Sequence, residues 1–354
     1  MLRSFAVVLF TLSFTGIAFS QERAAPILDI FERLPMPSGD EVVEIHYGNP
    51  GPVRGTAMMA AALGQMDDDP LYVPMMRTVP VLLAPHVLSG LEDLPQSHGI
   101  DLLQVERFAT MTQLPQRSLI LQLPEGGGDV VGPAIRAAGL GYADMQFQGQ
   151  SVLWRGEDLQ ADPDQQGDIF GYGLGLSSRL WVDGDLLVQS ASWPTMAKAI
   201  AGPAGSVGHI PEVRALASVF DAGLEAPGEV VALRIYLNLP WFEFGDTIMV
   251  ADMFHGAREG AVFAVVTETV AQAERMAELA RANWDSAPGG ISGRTMADLF
   301  IGEMRSAVHE IDGTPVLTVT VHGPRNREIP YWQNSAFNQF NQMLVFLDLG
   351  WLTE

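Results

Sequence analysis

Arg179 to Gln189 reads RLWVDGDLLVQ, and Ala307 to Val321 reads AVHEIDGTPVLTVTV. Each stretch sets an Asp-Gly pair, Asp183-Gly184 or Asp312-Gly313, between short runs rich in Val, Leu and Ile. A tight two-residue hairpin turn needs positive φ, which Asp and Gly tolerate, so each pair predicts an antiparallel hairpin. Hairpins of this kind argue against a doubly wound parallel sheet.

Working outward from the first hairpin, Ser118–Leu123 reads as a strand and Val130–Ala138 as a helix capped by Asp129 and closed by Gly139. Ser192 and Pro194 open a further helix that ends near Gly202. The second half repeats this order. Val230–Leu237 is a strand, and Thr247–Phe254 with Ala261–Thr267 forms a hairpin around Gly256 to Gly260. Thr269 and Gln272 make a capping box for a helix bearing Ala273, Ala277, Ala280 and Trp284 on one side. A last helix, Ser335–Leu349, is expected to bury Phe337, Phe340, Leu344 and Leu347. The expectation is an α+β fold of two antiparallel-sheet units with helices packed on one face, and the repeated order suggests a distant internal duplication. The stretch from Gly202 to Gly228 is rich in Gly, Pro and Ala and places a boundary, giving domains 21–226 and 227–354.

The first twenty residues read as a signal peptide. Arg3 precedes an apolar run to Phe19, and Ala18-Phe19-Ser20 supplies small residues for cleavage before Gln21. The run is too short for a comfortable membrane span. The expected location is therefore exported, periplasmic or secreted, with no integral membrane segment after cleavage. Mature protein should begin at Gln21 or within a residue or two of it. Recovery of cytosolic chain starting at Met1 would exclude export.

Composition removes several chemistries. The chain of 354 residues has 42 acids against 20 bases, a formal net charge of −22. Loss of Arg3 with the signal takes this one unit further, to −23. Such a surface repels nucleic-acid phosphates. The absence of cysteine rules out disulfides, thiol nucleophiles and thiolate metal sites. Lys198 is the only lysine, so no phosphate-binding GKS or GKT motif exists.

The remaining constellations are few. Gly205-Ser206-Val207-Gly208-His209 puts a serine near a histidine, but inside the boundary stretch. Thr195 and Lys198 have Ser-x-x-Lys spacing with the wrong first residue. His309 and His322 lie on opposite arms of the second hairpin without a carboxylate partner. Met58, Met59, Met66, Met75 and Met76 are dense beside Asp67-Asp68-Asp69; copper handling is one reading, and packing of Met59, Leu63 and Met66 on a helix face is the preferred one. Gly126-Gly127-Gly128 is a glycine turn rather than a dinucleotide loop.

Asp162-Pro163-Asp164-Gln165-Gln166-Gly167-Asp168 begins like a calcium loop, but Gly173 replaces the closing carboxylate. Asp162, Asp164 and Asp168 are thus candidate ligands for calcium no tighter than roughly 10⁻⁴ to 10⁻³ M, and no other cofactor is expected. Trp241, Phe242 and Glu243, with Tyr331 and Trp332, form a candidate contact surface of aromatics beside polar groups. The function expected is a non-catalytic binding or assembly protein, its partner a protein, peptide or glycan. The alternatives are a hydrolase using carboxylates such as Glu243 and Asp246, and a metal-handling protein.

Overall fold

The computed structural model describes residues 22–64, 69–78, 91–224, 228–240, 245–289, 293–326, 330 and 333–352. The first twenty residues, read above as a signal peptide, lie outside these. The elements of the first half are α1 (Ala25–Phe31), β1 (Val43–Gly48), α2 (Gly51–Ala62), α3 (Val73–Thr78), α4 (Leu94–Ser97), β2 (Arg107–Gln113), β3 (Gln116–Gln122), α5 (Gly128–Ala138), β4 (Ala143–Phe147) and β5 (Gln150–Arg155). There follow β6 (Ser178–Asp183), β7 (Leu186–Ser190), α6 (Trp193–Ala201), α7 (Pro211–Ser218), β8 (Glu229–Leu237), β9 (Ile248–His255) and β10 (Arg258–Val266). The chain ends with α8 (Val270–Asn283), α9 (Met296–Leu299), β11 (Glu303–Ile311), β12 (Thr314–Pro324) and α10 (Ser335–Phe346).

The class is the expected α+β, and every strand pair is antiparallel. The strands of both halves join in one twelve-stranded sheet, ordered β11-β12-β10-β9-β8-β1-β2-β3-β7-β6-β5-β4. The join is β1, which pairs β2 on one side and β8 on the other, with His46 opposite Thr110 and Arg234.

Both hairpins form. Ile311 pairs Thr314 across Asp312 and Gly313, at φ 51° and 81°. In the first, Asp183 pairs Leu186, so the loop residues are Gly184 and Asp185, one position later than the dipeptide suggests. Gly184 at φ 60° alone meets the positive-φ requirement of the first turn position. Gly128 explains the triple glycine: a Cβ there would meet the Gly184 carbonyl oxygen at 1.9 Å, so α5 starts pressed against this turn.

Helices cover both faces of the sheet rather than one. On one face Val43, Ile45, Leu233 and Met249 pack with α1, α6 and α7 through Ile27, Phe31, Met196 and Leu216. On the other, Leu119, Leu121 and Leu187 meet Val131 and Ile135 of α5. On that same face Val250, Phe263 and Val319 meet Ala273 and Ala277 of α8 and Phe340 and Leu344 of α10. The physical reason is that β9 and β10 are buried along almost their whole length. A strand apolar at both odd and even positions needs a layer on each side.

Candidate functional site

Among the described residues, those singled out in the sequence do not come together in one site. Trp241, Phe242, Glu243, Tyr331 and Trp332 lie outside the described residues, as do Met66, Asp67 and Asp68. Asp246 is exposed and accepts a hydrogen bond from the Thr247 hydroxyl at 3.0 Å. Met75 is buried, whereas Met58, Met59 and Leu63 are exposed on and just after α2, so Met59 and Leu63 are not the core face expected. His309 sits opposite Val316 and His322 opposite Glu303, at the two ends of the hairpin. Lys198 donates to the Met36 carbonyl at 3.0 Å and the Ser38 hydroxyl at 2.6 Å, tying α6 to the loop before β1 rather than standing in solvent.

The three aspartates of the loop point to different places. Asp162 accepts from the Asp164 amide at 3.0 Å, which caps a short turn, and Asp164 is exposed. Asp168 faces inward and is 1 % exposed. Among the described residues no three of His, Cys, Asp or Glu converge as a metal would require.

What Asp168 does is hold a buried polar network. One oxygen takes the Phe170 amide at 3.0 Å and His98 Nε2 at 3.2 Å. The other takes Tyr142 Oη at 2.7 Å and Arg155 Nη2 at 2.6 Å. Burial pushes the carboxyl up, but His98, Tyr142, Arg155 and the Phe170 amide outweigh it and hold it below the usual range. Burial, and then the Asp168 charge, drive the Tyr142 phenol well up. His98 Nδ1 also lies 2.8 Å from Ser97 Oγ, which makes a Ser-His-Asp relay. Ser97, however, donates its one hydroxyl proton to the Asp93 carbonyl at 2.7 Å. The Ser97 hydroxyl proton is thus committed to a backbone carbonyl, and Arg155 pairs the Asp168 charge. The network is a strut.

A second buried network lies on α3, β9 and β10. Arg77 donates Nε and Nη2 to the two oxygens of Asp252, both at 2.8 Å, and Nη1 to Glu259 at 2.8 Å. Its side chain and that of Asp252 are each 1 % exposed. Asn334 donates to Asp252 at 2.6 Å and to the Gly260 carbonyl at 2.9 Å while capping α10. Burial lowers the tendency of Arg77 to hold its proton, but Asp252 and Glu259 more than reverse this. Burial also raises the Glu259 carboxyl, against the pull of Arg77.

Two open clefts differ in character: a larger one, about 450 Å³, is lined by Arg281, Arg305, Ser306, Thr318 and Thr320 among others, and a smaller one is apolar. The apolar cleft, of about 220 Å³, lies where the ends of β1, β8 and β9 meet the end of α10. Val42, Tyr236, Leu239, Ile248, Leu344 and Val345 line it, together with Leu347 and Leu349. Three successive residues at the cleft and the helix end, Val345, Phe346 and Leu347, are 69 %, 59 % and 52 % exposed. Leu347, expected inside, instead ends the helix in the left-handed conformation at φ 55°. The sequence signal for this was the unbroken run Leu344-Val345-Phe346-Leu347. A helix with one buried stripe cannot bury four consecutive residues. At the polar end, Tyr236 sits opposite Glu44. Burial, and then Glu44, push the Tyr236 phenol up.

No family model matches the chain, and no curated protein matches it. Two solved structures resemble it weakly. Crystal form III of TP0453 gives a TM-score of 0.35 at 6 % identity over 88 % of this chain and 98 % of that one. Crystal form I gives 0.35 at 7 % identity over 85 % and 94 %. Likeness of that degree supports no conclusion about this chain. No described helix is long and apolar enough to cross a membrane.

Proposed function

We propose that the chain is an exported, non-catalytic binding or assembly protein that holds a protein partner at the cleft beside α10. The observation that carries this is the contrast between two kinds of surface. The charges around Asp168 and Arg77 are buried and paired, whereas Val345 and Leu347, which line a preformed apolar hollow, and Phe346 between them stand in solvent. Contiguous exposed apolar surface of this kind marks interaction sites. Export rests on the signal-like segment alone.

Toluene tests the cleft without knowledge of the partner. Titrated into the full chain with methyl groups observed by NMR, it is expected to shift Val345, Leu347 and Leu349 saturably and to leave the exposed Met58 and Met59 of α2 unmoved. Uniform, non-saturating shifts over the whole surface would remove the cleft as a binding site.

A further inference from the structure

The size of the cleft restricts what enters it. At about 220 Å³ it falls below the roughly 300–1,000 Å³ of pockets for drug-sized molecules and above the roughly 150 Å³ cavity that takes benzene. That is room for one large side chain. The lining is aliphatic apart from the ring of Tyr236, so the occupant is apolar through most of its length.

The rim adds a sign of charge. Glu44 is 39 % exposed, and its nearest cation, Arg234 Nη1, is at 4.0 Å, the outer limit of an ion pair. The whole chain carries −22, which raises the local concentration of cations and disfavours anions. Leu347 adds a further observation. A helix end in the left-handed conformation ordinarily takes glycine, because a side chain there is strained. A half-exposed leucine at φ 55° gains little from the interior, yet it supplies part of the cleft wall.

We propose that the cleft is a socket for one large apolar side chain of a partner protein, flanked in the partner by a basic residue that lies against Glu44. This rests on the binding reading above and specifies the chemistry of the partner. Such anchors, most often aromatic, dominate the energetics of protein interfaces.

Three blocked tetrapeptides test it on the full chain: Ac-Gly-Trp-Arg-Gly-NH2, Ac-Gly-Trp-Glu-Gly-NH2 and Ac-Gly-Ala-Arg-Gly-NH2. The Trp-Arg peptide is expected to saturate the cleft methyls in roughly the millimolar range, as a single anchor would. The Trp-Glu peptide should bind at least threefold more weakly, with the difference shrinking in high salt, and the Ala-Arg peptide should not saturate. Glu44→Gln should bring the two Trp peptides together. Leu347→Gly should melt no lower than the parent, since glycine suits the conformation, and lose at least threefold in Trp-Arg affinity.

Equal binding of the two Trp peptides, or of the Trp-Arg and Ala-Arg peptides, overturns the proposal. So does a parent chain that sediments as a dimer broken by Leu347→Gly, which gives the patch to a second copy. Sedimentation with phosphatidylcholine–phosphatidylglycerol vesicles that Leu347→Gly abolishes gives the patch to lipid and overturns the proposal equally. Toluene in the same sample separates the two levels. If toluene binds and the peptides do not, only the anchor proposal falls; if neither binds, the binding reading falls as well.

Discussion

Arg77→Met is expected to cost about 3 to 5 kcal/mol of stability at pH 7.5, because it leaves Asp252 and Glu259 buried without their shared cation. For a chain of this size that is a fall of roughly 6 to 10 °C in melting temperature. The pH dependence identifies the cause. Glu259, already raised by burial and left with Arg325 Nε at 3.6 Å in place of Arg77, titrates still higher in the folded than in the unfolded chain, so the folded variant binds more protons. Stability contributed by groups raised in this way is present below the unfolded carboxylate value, about 4, and is lost as pH rises through the folded values. The deficit of the variant should therefore be largest at pH 7.5 and shrink on acidification toward pH 5. A deficit that stays constant or widens over that range would show that the lost packing over Phe254, whose ring centre lies 4.7 Å from the guanidinium carbon, matters more than the charge.

Asp168→Ala is expected to cost a similar amount, about 3 to 5 kcal/mol, since Arg155 would be left charged and buried, with His98 and Tyr142 unpaired on that side. The deficit again shrinks on acidification, but in a lower pH window. The folded carboxyl lies below its unfolded value, so its contribution is fully present above about pH 4 and is lost as pH falls through the folded value. Asp168→Asn should show its full deficit at pH 7 and approach the parent only below about pH 4. Ser97→Ala, by contrast, should change stability by no more than about 1 kcal/mol, the worth of one hydrogen bond at a partly exposed site. Chemical denaturation of the three variants gives the comparison. Equal losses for Ser97→Ala and Asp168→Ala would mean that the Ser97–His98 link holds the region, not the Arg155–Asp168 pair.

Local chemistry made some of this fold legible in the sequence. Asp312-Gly313 specifies its own turn because both residues occupy positive φ there. Thr269 and Gln272 form the box their spacing announces, with the Thr269 hydroxyl accepting the Gln272 amide at 3.2 Å. What depends on distant partners was hidden. The salt bridge between Arg77 and Asp252 joins positions 175 residues apart, and no spacing rule connects them. Asp168 looked like a surface ligand because its neighbours in sequence are polar, while the groups that turn it inward come from the segment after α4, from β5 and from the segment between α5 and β4. The covering of both sheet faces had a signal, in the unbroken apolar run Ala261–Val266, which leaves no polar side for solvent.

The position of β1 has a consequence for the order in which the chain can acquire structure. This strand lies near the beginning of the sequence but in the middle of the sheet, and one of its two neighbours, β8, starts only at Glu229. As the polypeptide emerges amino-terminus first, β2 can pair with β1 early, while the other edge of β1 waits for most of the chain. Pairings of such long sequence separation are slow to form, and an open strand edge recruits other chains in the meantime. A fragment ended before Glu229 keeps that edge permanently and is expected to self-associate. For a chain proposed to cross a membrane before it folds, the same delay is useful: its central seam closes only once β8, well into the second half of the sequence, has arrived.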